Sequence, residues 1–132
     1  MILLRFSDGE DLVEGAKQAL KKAGVTSGVV LGGVGMLASP GLAFYKGGGV
    51  YEPIPVGGEV ELVALNGNVA MLEGDVFLHL HATLAGADGR AVAGHFTGGK
   101  VHMTAEVAIM RLEKKMVRVF DEKTGLKTLR FE

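Results

Sequence analysis

Three of the four histidines fall in one stretch, "VFLHLHATLAGADGRAVAGH", residues 76–95. His79 and His81 stand one residue apart in a run with the alternation of a β-strand, so both imidazoles project from the same face. Neutral imidazoles are good ligands for divalent transition metals, and three of them leave zinc one open position for water or substrate. With no cysteine in the chain, such a site can draw only on His, Asp and Glu. Zinc is the first expectation for a site built from His79, His81 and His95, with nickel, iron, manganese and copper as alternatives. The simpler alternative is a polar interface in which the three rings are hydrogen-bonded and hold no metal.

The elements around these residues make the metal reading a geometric demand. At period two, Val76, Leu78, Leu80, Ala82 and Leu84 share a core face, and Phe77, His79, His81 and Thr83 share the other. That second face carries no charge, which suits a lined pocket or a subunit interface. "AGADGRA" then reads as a hairpin turn. A two-residue Asp88-Gly89 loop sets His81 opposite Phe96, whereas a loop with an odd number of residues sets His81 opposite His95. The site needs the odd loop, or a bulge near Gly94.

Other constellations are weaker. His102 and Glu106 share a face of the next strand, where His102 could add a fourth ligand and Glu106, the one catalytic candidate, a general base. A solvated strand face explains His102 more simply. The H-x-H pair resembles the cupin motif, but "ATLAGADG" lacks the Glu that motif places after the second His. Gly33, Gly35 and Ala38 match G-x-G-x-x-A, yet Pro40-Gly41 cuts off the helix that a dinucleotide site requires. Glycines that allow a tight bend or a close approach of chains are the expected explanation.

"ILLRF" reads as a short strand, and "SDGE" after it has the form of a capping box linking Ser7 and Glu10. A helix is expected over residues 9–23, with Leu12, Val13, Ala16, Ala19, Leu20 and Ala23 on its apolar face and Gly24 as its stop. Later runs, among them "SGVVLGGVGML", "GLAFYK", "EVELVALNGNVAML", "AVAGHF", "KVHMTAEVAIMRLE" and "MVRVF", read as strands. The expected fold is α+β, a mainly antiparallel sheet covered by one principal helix, in a single domain spanning 1–132.

Composition narrows the function classes. The net charge of −1 gives no basic field of the kind nucleic-acid binders carry, although residues 111–132 hold seven basic against four acidic side chains. The absence of cysteine fits a cytoplasmic place, and "MILLRFSDGED" turns acidic too early for a signal peptide. The uncharged stretch from Val25 to Tyr45 is long enough to cross a bilayer, but its glycines and Pro40 read as strands and turns. No membrane association is expected.

Taken in order, "GEDL", "GVVLGGVGML", "AFY", "VELVALNGNVAML", "FLHLHATLAGADGRAVAGH", "GGKVHMTAEVAIM" and "TGLKTLRF" resemble the PPC domain, the plants and prokaryotes conserved domain, over nearly the whole chain. The resemblance implies an α+β domain assembled as a homotrimer, with metal-binding members using histidines that match His79, His81 and His95. It also implies a DNA-binding label for prokaryotic members. Ala93-Gly94-His95 departs from the family's Gly-Gly-His but keeps the imidazole, and nothing here resembles the basic AT-hook that reads the minor groove in plant members. A DNA-associated or regulatory role and a metal-dependent enzyme acting on a small molecule are the readings that accompany metal binding.

Overall fold

Alternation in "ILLRF" produces strand β1 (Ile2–Ser7), and Leu12, Ala16 and Leu20, spaced by four, form the buried stripe of helix α1 (Leu12–Lys22) in the computed structural model, which describes residues 1–132. Each fully buried leucine contributes roughly 1.5–3 kcal/mol of apolar transfer. The helix begins three residues later than expected. Gly9 donates to the Val101 carbonyl and Val101 donates to that of Glu10, each at 2.8 Å, so residues 9 and 10 extend strand pairing instead of opening the helix. Half of the expected capping box forms, because the Ser7 N–H donates to the Glu10 carboxylate. The cap itself is Asp11, whose Oδ1 accepts from the Glu14 N–H at 2.8 Å. At the other end the Val25 N–H reaches back to the Leu20 carbonyl at 2.9 Å around Gly24, as a glycine stop requires.

Two strands are much longer than the runs that signal them. Strand β2 (Gly28–Gly47) unites "SGVVLGGVGML" with "GLAFYK", and strand β6 (Ala91–Arg111) unites "AVAGHF" with "KVHMTAEVAIM". The glycines and Pro40 between those runs act as register shifts within continuous pairing, at Ala38/Gly41 and Gly41/Leu42 among others. Gly33 and Gly35 answer the dinucleotide question. No helix follows them, and a Cβ would stand 2.9 Å from Leu65 Cβ at the first and 2.5 Å from Ala105 Cα at the second. They are glycines because chains approach closely.

The remaining strands are β3 (Val50–Ile54), β4 (Glu59–Leu72), β5 (Asp75–Ala85), β7 (Met116–Asp121) and β8 (Leu126–Phe131). Apart from a single parallel bridge between β4 and β7, every pairing is antiparallel. Strand β6 pairs with β2 and β5, β5 with β4, and β4 returns to β2, so these four close a ring. Leu37, Leu62, Leu65, Leu80, Leu84 and Ile109 belong to one buried cluster that also takes in Leu12 and Leu20 from the helix. Lys17 and Lys21 each meet the Asp75 carboxylate at 2.6 Å, fastening the exposed side of the helix to the first residue of β5. No helix is long and apolar enough to cross a membrane.

Candidate metal centre

The chain between β5 and β6 is Gly86–Arg90, a loop with an odd number of residues, and it sets His81 opposite His95. Gly89 donates to the Gly86 carbonyl at 2.9 Å and Arg90 to Asp88 Oδ1 at 3.0 Å, which closes the turn. No bulge at Gly94 is needed, since Ala82 pairs with Gly94 in unbroken register. Gly94 serves a different end. A Cβ there would come 2.8 Å from Ile54 Cδ1 and 3.0 Å from the Ala43 carbonyl, so the missing side chain lets β2 and β3 pack behind His95.

The structure therefore brings His79, His81 and His95 together. Their ring centroids lie 5.3 Å apart for His79–His81, 5.4 Å for His79–His95 and 5.6 Å for His81–His95. One ring nitrogen from each falls within 4.8 Å of the others. Donors on a tetrahedral zinc at 2.0–2.1 Å stand about 3.3 Å apart, so rotation about the side-chain torsions, with no change of strand register, is the adjustment a metal would require. The donor set fits a borderline divalent ion. Burial pushes His79 down to about 4, with Arg118 and the other two imidazoles adding to the effect, and burial followed by His81 lowers His95. Both rings are held neutral near pH 7, the form that ligates.

The rings open into a cavity of about 910 Å³, walled by residues of β2, β3, β5 and β6 and by the β7–β8 hairpin. Tyr51 stacks on His95 at 4.9 Å between centroids. Tyr45 joins the far turns by donating to the Thr124 carbonyl at 2.5 Å while accepting from the Gly49 N–H at 2.9 Å. Arg118 of β7 reaches in beside His79. Its Nη2 lies 2.6 Å from Asn68 Oδ1 and 3.1 Å from His79 Nδ1, and its Nη1 donates to the Lys127 carbonyl at 3.0 Å. A guanidinium only donates, so Nδ1 of His79 is the acceptor and the ring proton sits on Nε2. Ligation of His79 through Nδ1 would displace Arg118, and ligation through Nε2 would move the proton to Nδ1, where Arg118 has nothing to accept it. Either way the contact between them would end if the ring took a metal.

The other two candidates lie elsewhere. His102 faces Asp8 at 3.6 Å and Glu59 at 3.4 Å, between β1 and β4. Glu106 pairs across from Arg5 on one side and Val34 on the other, and it does not line the cavity. Strand β6 is long enough to carry His95 and Glu106 in different surroundings. Arg118 and Tyr51 were not anticipated. The signal for Arg118 is a lone cation between valines in "MVRVF", whereas Tyr51 offers none, because its short run "VYEPI" is interrupted by Pro53.

The family model of the Plants and Prokaryotes Conserved (PCC) domain matches residues 1–113. Among solved structures, a metal-containing protein of Archaeoglobus fulgidus is 28% identical with a TM-score of 0.87, covering 98% of this chain and 91% of that one. A plant- and prokaryote-conserved (PPC) protein of Pyrococcus horikoshii is also 28% identical, with a TM-score of 0.86 and coverage of 96% and 90%. A Bacteroides thetaiotaomicron protein, provisionally named as DNA-binding, superposes with a TM-score of 0.89 at 23% identity over 98% and 90% of the chains, and at that identity shows the fold alone. No curated protein matches the chain.

Proposed function

The chain belongs to the Plants and Prokaryotes Conserved (PCC) domain family, and on that premise we propose that it binds a divalent transition metal, zinc first, through His79, His81 and His95. The observation that carries this reading is the convergence of three imidazoles from two paired strands, with one nitrogen of each inside 4.8 Å. The Archaeoglobus relative, described as metal-containing, supports it. Bound there, the metal supplies Lewis acidity at a cavity wall. The chain's own residues hold it on a fixed scaffold, keep two of the ligands unprotonated, and present Arg118 alongside. Metal analysis of protein purified without a histidine tag, set beside a variant with all three histidines changed to alanine, tests the reading; equal metal content in the two overturns it.

Self-association as a homotrimer accompanies this reading. Leu3, Val34, Val63 and Met103 are 73%, 53%, 50% and 65% exposed on the neighbouring strands β1, β2, β4 and β6, an apolar outer surface of the kind that marks an interface. Sedimentation of the full chain checks it, with three times the chain mass expected and a monomer at micromolar concentration counting against it.

A DNA-associated role is a second reading, favoured by the exposed basic side chains Arg111, Lys114, Lys115, Lys123, Lys127 and Arg130 in and beside the β7–β8 hairpin. A trimer would multiply that field. Duplex binding that weakens steeply with added salt is the expected signature, and no binding at low salt removes this reading.

A further inference from the structure

The charges around the cavity do not balance. Arg118 and Lys127 line it together with the three histidines, and no Asp or Glu does. Arg118 is half-buried and its partners, Asn68, His79 and the Lys127 carbonyl, are all uncharged. None of the chain's ion pairs includes it, and its Nε is buried without any hydrogen-bond partner. A cation withdrawn from water without a counter-charge is unfavourable, and a divalent ion on the three histidine rings would raise the positive charge further. Metal ligation would also release Arg118 from His79, leaving N–H groups to be satisfied. An anion from outside the chain resolves the imbalance.

The walls say what kind of anion. Phe44, Tyr51, Phe77, Leu126 and Leu129 line a volume of about 910 Å³, far more than an inorganic ion fills. Pockets of roughly 300–1,000 Å³ with apolar walls and a few converging polar groups are those that take small organic molecules. Arg118 presents the planar fork of donors that a carboxylate matches with two parallel hydrogen bonds. We propose that this cavity binds a small organic monocarboxylate with an apolar body, its carboxylate held by Arg118 and turned toward the three histidines. The second of those anchors rests on the metal reading; the first does not.

Phenylacetate is a suitable probe, with phenylacetamide as its uncharged counterpart and inorganic phosphate as an anion without an apolar body. Binding is read by calorimetry and by amide chemical shifts on the full chain, both chelator-treated and zinc-loaded, with zinc content measured separately. Phenylacetate is expected to bind zinc-loaded protein at least tenfold more tightly than either comparator, and Arg118→Gln to weaken it at least tenfold while still loading zinc. No phenylacetate binding to zinc-loaded protein overturns the proposal, as does equal affinity for phenylacetamide or phosphate, or an unaffected Arg118→Gln. If the wild-type chain takes up no zinc, the metal reading fails by itself. The same comparison on the metal-free chain then decides, with Arg118-dependent binding supporting the site and no binding overturning it. Should Arg118→Gln unfold, Arg118→Lys keeps the charge but not the fork; weakened binding is expected, and unchanged binding overturns the proposal.

Discussion

The Arg118 guanidinium donates through Nη2 to Nδ1 of His79 at 3.1 Å, so a fixed cation stands at one of the three candidate ligands. It competes with any metal there, both by holding a nitrogen lone pair and by charge repulsion. A hydrogen bond to a charged group contributes about 1.5–3 kcal/mol, and roughly 1.4 kcal/mol is a factor of ten in affinity. Arg118→Met is therefore expected to tighten zinc binding by about tenfold, measured by competition with a chromophoric chelator. Weaker zinc binding in that variant would show that Arg118 supports the site instead of opposing it.

Proton competition has a defined direction. The folded His79 titrates at about 4, against about 6.5 for an unperturbed histidine, and His95 is lowered as well. Between those values the unfolded chain binds more protons than the folded one, so stability rises with pH there. The contribution is complete above about 6.5 and is lost as the pH falls toward about 4. In the metal-free protein, the His79 ring resonances should stay in their neutral positions down to pH 5. The melting temperature of His79→Asn should fall less steeply than that of wild type over the same interval.

Gly94 is expected to tolerate no β-branched replacement. Gly94→Val places atoms against Ile54 Cδ1 and the Ala43 carbonyl, and overpacking of this kind costs about 1–3 kcal/mol. Urea unfolding measures the loss. Because the displaced backbone is next to His95, zinc affinity should fall in parallel, which a change confined to general stability would not produce.

Leu80 lies between the two histidines in sequence but points the other way, 2% exposed within the buried cluster. Leu80→Ala is expected to lose about 2–5 kcal/mol by creating a cavity while leaving all three imidazoles in place. Added zinc should recover part of the lost melting temperature by mass action, roughly 2.7 kcal/mol at a hundred times the dissociation constant. Chelation should remove that recovery, and the His79→Ala/Leu80→Ala double variant should lack most of it.

The strand faces around the site were legible because alternation is a local property. Val76, Leu80, Ala82 and Leu84 are buried as the period-two reading expects, with Leu78 packed partly against the core. The parity of the hairpin loop could be posed as a condition, and Gly86–Arg90 meets it. Long-range features were not legible. Pro40-Gly41 and Gly98-Gly99 look like strand ends, yet in β2 and β6 they sit inside continuous pairing, because a bulge and a break share the same residue types. The helix starts at Leu12, behind the Asp11 cap, because Val101, some ninety residues away, claims the backbone of Gly9 and Glu10. Arg118 enters the site only through the fold of β7, and Glu106 is kept from it by the length of β6.

The closed ring of β2, β6, β5 and β4 has a consequence for the timing of metal capture. His81 pairs with Asn66 of β4 and His95 of β6, His95 also with Ala43 of β2, and His79 with Asn68 of β4, so each ligand backbone lies in a strand ladder before any ion arrives. The conformational entropy of assembling the three imidazoles is thus lost during folding, and only side-chain torsions are left to settle at capture. The β7–β8 hairpin has a single backbone pair with the rest of the sheet, Met71–Val117, and is otherwise held by side-chain contacts such as Arg118–Asn68 and Tyr45–Thr124, so it is the softest wall of the cavity. Amide exchange should accordingly be slowest along β5 and quickest along β7 and β8, which makes capture a fast event on a stiff floor under a softer roof.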